Sequence, residues 1–229
     1  MASGVVLGGA IAGLAVVGAL GEMSGADHDG APPATAGPVA LSLPEGVPAE
    51  PIAFPEAGLP GWTSVAGRWA VEPMPDASGG GRALVQRAVD NAFNVIVAPG
   101  GPYTDVDVTV RFKPISGRED ASGGIVFRFV DGRYYVVRAN ALEGNFRLYY
   151  YDRGRHQLAS ARVPPPALGQ WHALRVIAVG DHIRASLDGQ LRLDHRDHRF
   201  HAGQVGLWTK ADSITAFDAL VVRGVRTGS

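Results

Sequence analysis

The chain contains no cysteine. That excludes a disulfide framework, a thiolate metal centre, a cysteine nucleophile and a lipid carried on a cysteine. Charge of either sign is not in surplus: 21 Lys and Arg stand against 22 Asp and Glu, a formal net charge of -1. With no basic stripe, nucleic acid is not an expected partner. Lys and Arg are missing altogether before Arg68. The N-terminal segment therefore lacks the positive flank that opens a signal peptide or orients a membrane helix. Beyond Trp62 no stretch sustains a helical period.

What the N-terminus has instead is apolarity. Val5 to Leu20 (VVLGGAIAGLAVVGAL) carries no polar side chain, and residues 1–21 reach about 20 residues, the length that crosses a bilayer. Two readings stand, with a buried helix as a third. One is a cleaved signal, with small-residue sites at Ala19-Leu20-Gly21 and Ser24-Gly25-Ala26. The other is a retained single-pass anchor. The pairs Gly4/Gly8 and Gly9/Gly13 favour the anchor, because small residues four apart let helix backbones pack closely within a membrane. Either way the rest of the chain is expected on the periplasmic or extracellular side; the retained anchor makes the lipid bilayer and membrane protein subunits the expected partners. Residues 22–61 are rich in Pro, Ala and Gly without a period. They read as an extended linker, either a spacer or an arm laid on a partner through Leu41, Leu43, Ile52 and Phe54.

Residues 62–225 read as an all-β domain, with residues 226–229 as a tail. Short alternating runs are separated by turn signals. Asp105 to Phe112 alternates cleanly, Val106, Val108, Val110 and Phe112 against Asp105, Asp107, Thr109 and Arg111. Asp131-Gly132 and Asp188-Gly189 mark tight hairpins. About a dozen short strands, antiparallel by their turns, predict a two-sheet β-sandwich of jelly-roll type.

The central stretch, SGGIVFRFVDGRYYVVRANALEGNFRLYYYDRG from Ser122 to Gly154, predicts three strands. One face holds Ile125, Phe127 and Phe129, which should be buried. Alternation then turns Arg128 to the opposite face, with Tyr134 and Arg138 from the second strand and Arg147, Tyr149 and Tyr151 from the third. Trp208 and Lys210 share a face of a later strand. Arginine forks and aromatic planes suit hydroxyls and apolar sugar faces, so these eight residues form a candidate binding platform. The plainer alternative is that the arginines pair with carboxylates such as Asp218 and merely fill a sandwich face.

The succession GGIVFRF, YYVVRANALEGNFRLYYY, GQWHALRVIAVGDHIRASLDG and GQVGLWTKADSITAFDALVV resembles the bacterial concanavalin A-like (LamG-like) jelly-roll domains. Within them it is most similar to the group related to 3-keto-disaccharide hydrolases. The resemblance spans Trp62 to Arg223 and implies a fold and a leaning towards carbohydrate. The group usually carries two aspartates after the phenylalanine of the last segment, whereas this chain has Asp218 followed by Ala219.

Catalysis is not expected. Glycoside hydrolysis needs two carboxylates about 5–9.5 Å apart, and the Glu-x-Asp-x-x-Glu strand of the laminarinase-type enzymes is missing. Asp105, Asp107, Glu143 and Asp212 are isolated candidates for an acid or base. No Ser-His-acid arrangement is readable. His195, His198 and His201 (DHRDHRFH) could approach a metal only on a helix, and the segment reads as a basic loop between strands. No metal and no cofactor is expected. Three functions fit these residues: an accessory subunit of a membrane complex, a carbohydrate- or envelope-glycan-binding module, and a glycoside hydrolase.

Overall fold

The structure is a computed structural model; it describes residues 40–55, 58–78 and 80–228. The proposed anchor, with Gly4, Gly8, Gly9 and Gly13, and the first part of the proposed linker lie outside the described residues. Among the described residues no helix is long and apolar enough to cross a membrane.

All regular structure described is β. The strands are β1 (Ala49–Pro51), β2 (Thr63–Ala66), β3 (Trp69–Pro73), β4 (Arg82–Gln86), β5 (Phe93–Val97), β6 (Tyr103–Ser116), β7 (Ser122–Val130), β8 (Arg133–Asn140), β9 (Asn145–Tyr151), β10 (Arg155–Arg162), β11 (His172–Val179), β12 (His182–Leu187), β13 (Gln190–Arg196), β14 (Gln204–Lys210) and β15 (Ile214–Arg226). They form two antiparallel sheets. One has eight strands, in the order β13-β12-β11-β6-β15-β4-β3 with β1 also on β15; the other has seven, β10-β9-β8-β7-β14-β5-β2. The jelly-roll sandwich expected from the alternation is present.

The core lies between the sheets and obeys the period-two pattern. Val106, Val108, Val110 and Phe112 of β6 face Ile125, Phe127, Tyr135, Val137, Phe146 and Leu148 of the other sheet, and all are buried. The β7–β8 hairpin turns where expected, with Asp131 at φ 48 and Gly132 at φ 80. Both central residues are left-handed, the geometry that matches strand twist in a two-residue loop.

Two expectations are corrected. The linker does not run free to Gly61. Ala49–Pro51 pairs with β15, Ala49 opposite Arg223, Leu43 is buried, and Ile52, Phe54, Leu59 and Trp62 pack on the core. Of the residues proposed for a partner's surface, Leu43, Ile52 and Phe54 are used on the chain's own sandwich, because burying them there removes apolar area from water; Leu41 is half-buried.

The second correction is in β7. Its register with β8 shifts between Phe127 and Val130, and Arg128 takes a left-handed φ of 51. This bulge adds one residue and re-aims the side chains beyond it. Phe129 therefore leaves the face of Ile125 and Phe127 and stacks on Tyr134, with ring centroids 5.8 Å apart. Arg128 does not join the platform. Its guanidinium is 1% exposed and donates to the carbonyl oxygens of Thr104, Gly180 and Phe200 at 2.7–3.1 Å. It ties β7 to the opposite sheet at one end of the sandwich.

Candidate functional site

Backbone register sets the outward side chains of the seven-stranded sheet in rows. One row runs Val95, Trp208, Gly124, Arg138, Arg147 and Ser160. The next runs Val97, Gly206, Val126, Val136, Tyr149 and Gln157. A third holds Tyr134, Tyr151 and Arg155. The face is strongly concave. Arg155 on β10 and Phe93 on β5 lie five strand spacings apart in the sheet, roughly 24 Å if it were flat, yet the guanidinium sits 5.3 Å from the Phe93 ring centroid.

One end of this face is aromatic. Tyr134 and Tyr151 stack at 5.2 Å with an interplanar angle of 4°. Phe93 meets Tyr151 edge-on at 5.7 Å and stacks on Trp208 at 5.6 Å. Arg155 lies across the top, 4.7 Å from the Tyr149 ring, as a cation over π-faces. Burial pushes the Tyr134 hydroxyl up to about 12. The Trp208 indole N–H is buried without a hydrogen-bond partner among the described residues.

The other end is polar. Arg138, 1% exposed, donates to Asn145 Oδ1 at 2.6 Å and to the Tyr149 hydroxyl at 3.3 Å. Glu143 Oε2 accepts from Asn145 Nδ2 at 2.6 Å and from Arg138 at 3.4 Å, with Arg147 Nη1 at 3.7 Å. The Asn145 bond, then the neighbouring guanidinium groups, hold the Glu143 carboxyl below its ordinary value. Arg147 also donates to Tyr149 and to Ser160 Oγ, each at 3.3 Å. Across the strands, Lys210 Nζ lies 3.2 Å from the buried Asp120. Arg138 Nε and Asn140 Nδ2 are buried donors without a partner among the described residues. Buried donors normally find an acceptor, and these two are enclosed by the protein rather than presented to solvent.

Of the predicted platform residues, Tyr134, Arg138, Arg147, Tyr149, Tyr151, Trp208 and Lys210 share the concave face; Arg128 does not. Nor do the platform arginines pair with Asp218, which takes Arg111 of the opposite sheet and the backbone N–H and hydroxyl of Ser78. The residues missed from sequence are Phe93, Phe129, Asp120, Asn145 and Arg155. Phe93 carried a signal in its alternation with Asn94 and Ile96. Phe129 is hidden by the bulge, and Arg155 contributes only because the sheet curls.

The isolated carboxylates have structural tasks. Asp107 takes Arg175 through two bonds of 2.8 Å. Asp105 caps the N–H of Gly180 at 2.8 Å. Asp212 accepts the backbone N–H of Arg118, Glu119 and Asp120 at 2.6–3.2 Å, fixing the turn into β7. His195 ends in β13, with His198 and His201 in the loop beyond. Among the described residues no group of three His, Asp or Glu could hold a metal ion.

No protein-family model and no curated protein sequence matches the chain. Solved structures do. A carbohydrate-binding module, CBM66 from Bacillus subtilis, aligns at 22% identity and a TM-score of 0.62, covering 72% of this chain and 96% of that one. The fold is concanavalin A-like. A Bacillus subtilis protein of unknown function with a galectin-like fold aligns at 16% identity and a TM-score of 0.55, over 73% of this chain and 91% of its own. The exoplasmic/lumenal domain of VIP36, in its Ca2+/Man3GlcNAc-bound form, aligns at 8% identity and a TM-score of 0.52, over 76% of this chain and 87% of its own. None of these bears on the 3-keto-disaccharide hydrolase group.

Proposed function

We propose that this domain is a non-catalytic carbohydrate-binding module, with its ligand on the polar end of the concave face. The observation that carries the reading is the network of Arg138, Glu143, Asn145, Arg147 and Tyr149 beside Trp208, which holds the part-exposed Arg147 fork and the Glu143 carboxylate in fixed positions at the surface of the face. Fixed planar forks and amides next to aromatic rings match the two faces of a sugar, one of hydroxyls and one of C–H groups. A carbohydrate-binding module and a glycan-bound domain among the similar folds support it. A hydrolase is disfavoured because Glu143 and Asp212 are each held by several donors and no opposed pair of carboxylates is presented among the described residues.

Arg147 is the residue to test. It is 31% exposed, so Arg147→Ala leaves the fold intact. On a glycan array or by calorimetry, the variant should lose about tenfold or more in affinity for any saccharide the wild type binds, about 1.4 kcal/mol. An array with no wild-type hit overturns the proposal.

A second reading concerns where the module works. The uncharged apolar run and its glycine pairs favour a retained membrane anchor, and through it membership of a membrane complex as an accessory subunit. Purification in mild detergent should then bring down other membrane subunits together with residues 1–21; a free monomer lacking them overturns this.

A further inference from the structure

We infer that the glycan held on the concave face is acidic, a uronic-acid oligosaccharide whose carboxylates meet a line of arginines along β9 and β10. The inference rests on the binding reading above. It comes from how differently the two outer faces balance charge. On the eight-stranded sheet the cations are largely matched: Asp107 takes Arg175 and Arg223, Asp194 takes His182 and Arg184, Glu72 takes Arg87, and Asp218 takes Arg111. The concave face is short of carboxylates. Glu143 is shared by Arg138 and Arg147, and Lys210 is matched by the buried Asp120 and, at 4.0 Å, by Glu119. Arg155 and Arg162 make no ion pair among the described residues.

Arg155 adds a second, independent observation. Its guanidinium is held over the rings of Tyr149 and Phe93, yet its Nη1 is buried and has no acceptor among the described residues. A charged donor withdrawn from water without an acceptor is costly. A ligand carboxylate offers the planar, two-oxygen partner that a guanidinium fork fits.

The spacing points to a chain rather than a single sugar. β10 is eight residues long, with Arg155 and Arg162 at its two ends, so they stand roughly 23 Å apart along the strand. Arg162 is exposed and pairs in register with Asn145; Arg147 lies between the two ends, bonded to Ser160. A polyuronate repeats its carboxylate on successive sugars and can meet all three cations at once. A neutral glycan offers no charge to any of them and leaves the excess positive charge unmatched.

Calorimetry with oligosaccharides of pectate, alginate and hyaluronan, each as the free acid and as its methyl ester, tests this. Esterification keeps the sugar skeleton and removes the charge. At least one free acid should bind, its ester should bind about tenfold more weakly or worse, and binding should fall as salt is raised. Arg162→Gln, an exposed residue whose loss leaves melting unchanged, should weaken the acid about tenfold and the ester hardly at all. Esters or neutral glucans that bind as tightly as the acids overturn the acidic assignment and leave the glycan reading standing. An Arg162→Gln, Arg155→Gln double variant that binds the acid at wild-type strength also overturns it. Absence of binding to any saccharide overturns both.

Discussion

Arg128 shows what a single side chain can do when a bulge re-aims it. The residue is buried at 1% exposure, and its counter-charge Asp105 is 3.7 Å away. Most of its stabilisation comes from three carbonyl oxygens on three separate segments. Arg128→Met keeps the bulk and removes every donor, so urea denaturation should show a loss of about 2–4 kcal/mol. The tyrosines make a prediction in pH. Tyr134 and Tyr135 are each raised from 10.0 to about 12, mainly by burial. Above pH 10 the unfolded chain loses these protons while the folded one keeps them. Stability is therefore fully present below 10 and drains away as pH rises towards 12. Equilibrium unfolding across that window, tracked alongside tyrosinate absorbance, checks it; stability flat through the window contradicts it.

At the scale of elements, the face assignment in β8 and β9 was readable because both strands keep strict alternation. Tyr134, Val136 and Arg138 turn one way, Tyr135, Val137 and Ala139 the other, and Phe146, Leu148 and Tyr150 oppose Arg147, Tyr149 and Tyr151. β7 was not readable in the same way. Nothing in Phe127-Arg128-Phe129 announces a left-handed residue. The space that the bulge occupies is left by Gly203, where an added Cβ would lie 2.4 Å from the Arg128 carbonyl carbon, and Gly203 is remote in sequence. The concave face was invisible for a related reason: curvature is a property of many strands, so the meeting of Arg155 with Phe93 has no local signature. β14 offers a further test. A Cβ on Gly206 would stand 2.4 Å from the Ile96 carbonyl oxygen, and a backbone atom cannot rotate aside. Gly206→Ala should cost roughly 1–3 kcal/mol and shift the adjoining Trp208, visible as a change in indole fluorescence. An alanine variant as stable as the wild type would show that β5 and β14 can part without cost.

For the whole molecule, hairpin signals and period-two alternation were enough to predict a two-sheet sandwich without disulfides. The N-terminal boundary of the domain was misplaced because proline-rich composition reads as linker whether or not the segment is docked. Three residues, Ala49–Pro51, decide the matter by adding to the edge of β15. β15 is bonded to β6 along its length, while its other edge is shared in tandem by β4, opposite Thr215 to Phe217, and β1, opposite Val221 to Arg223.

That tandem edge has a mechanical consequence. Tension entering from the N-terminal side reaches β1 before it reaches any strand of the core. β1 carries a three-residue ladder, with β4 and β6 still holding β15 when it leaves. Its release frees the chain from Ala49 to Trp62, about 40 Å of extra reach at full extension, before the seven-stranded sheet feels the load. In single-molecule pulling from that side, a short low-force step should precede the main rupture, and Ile52→Asp should lower the force of that first step alone. On the proposed reading of an anchored glycan binder, the arm would act as a strain absorber, releasing chain while the concave face keeps its ligand.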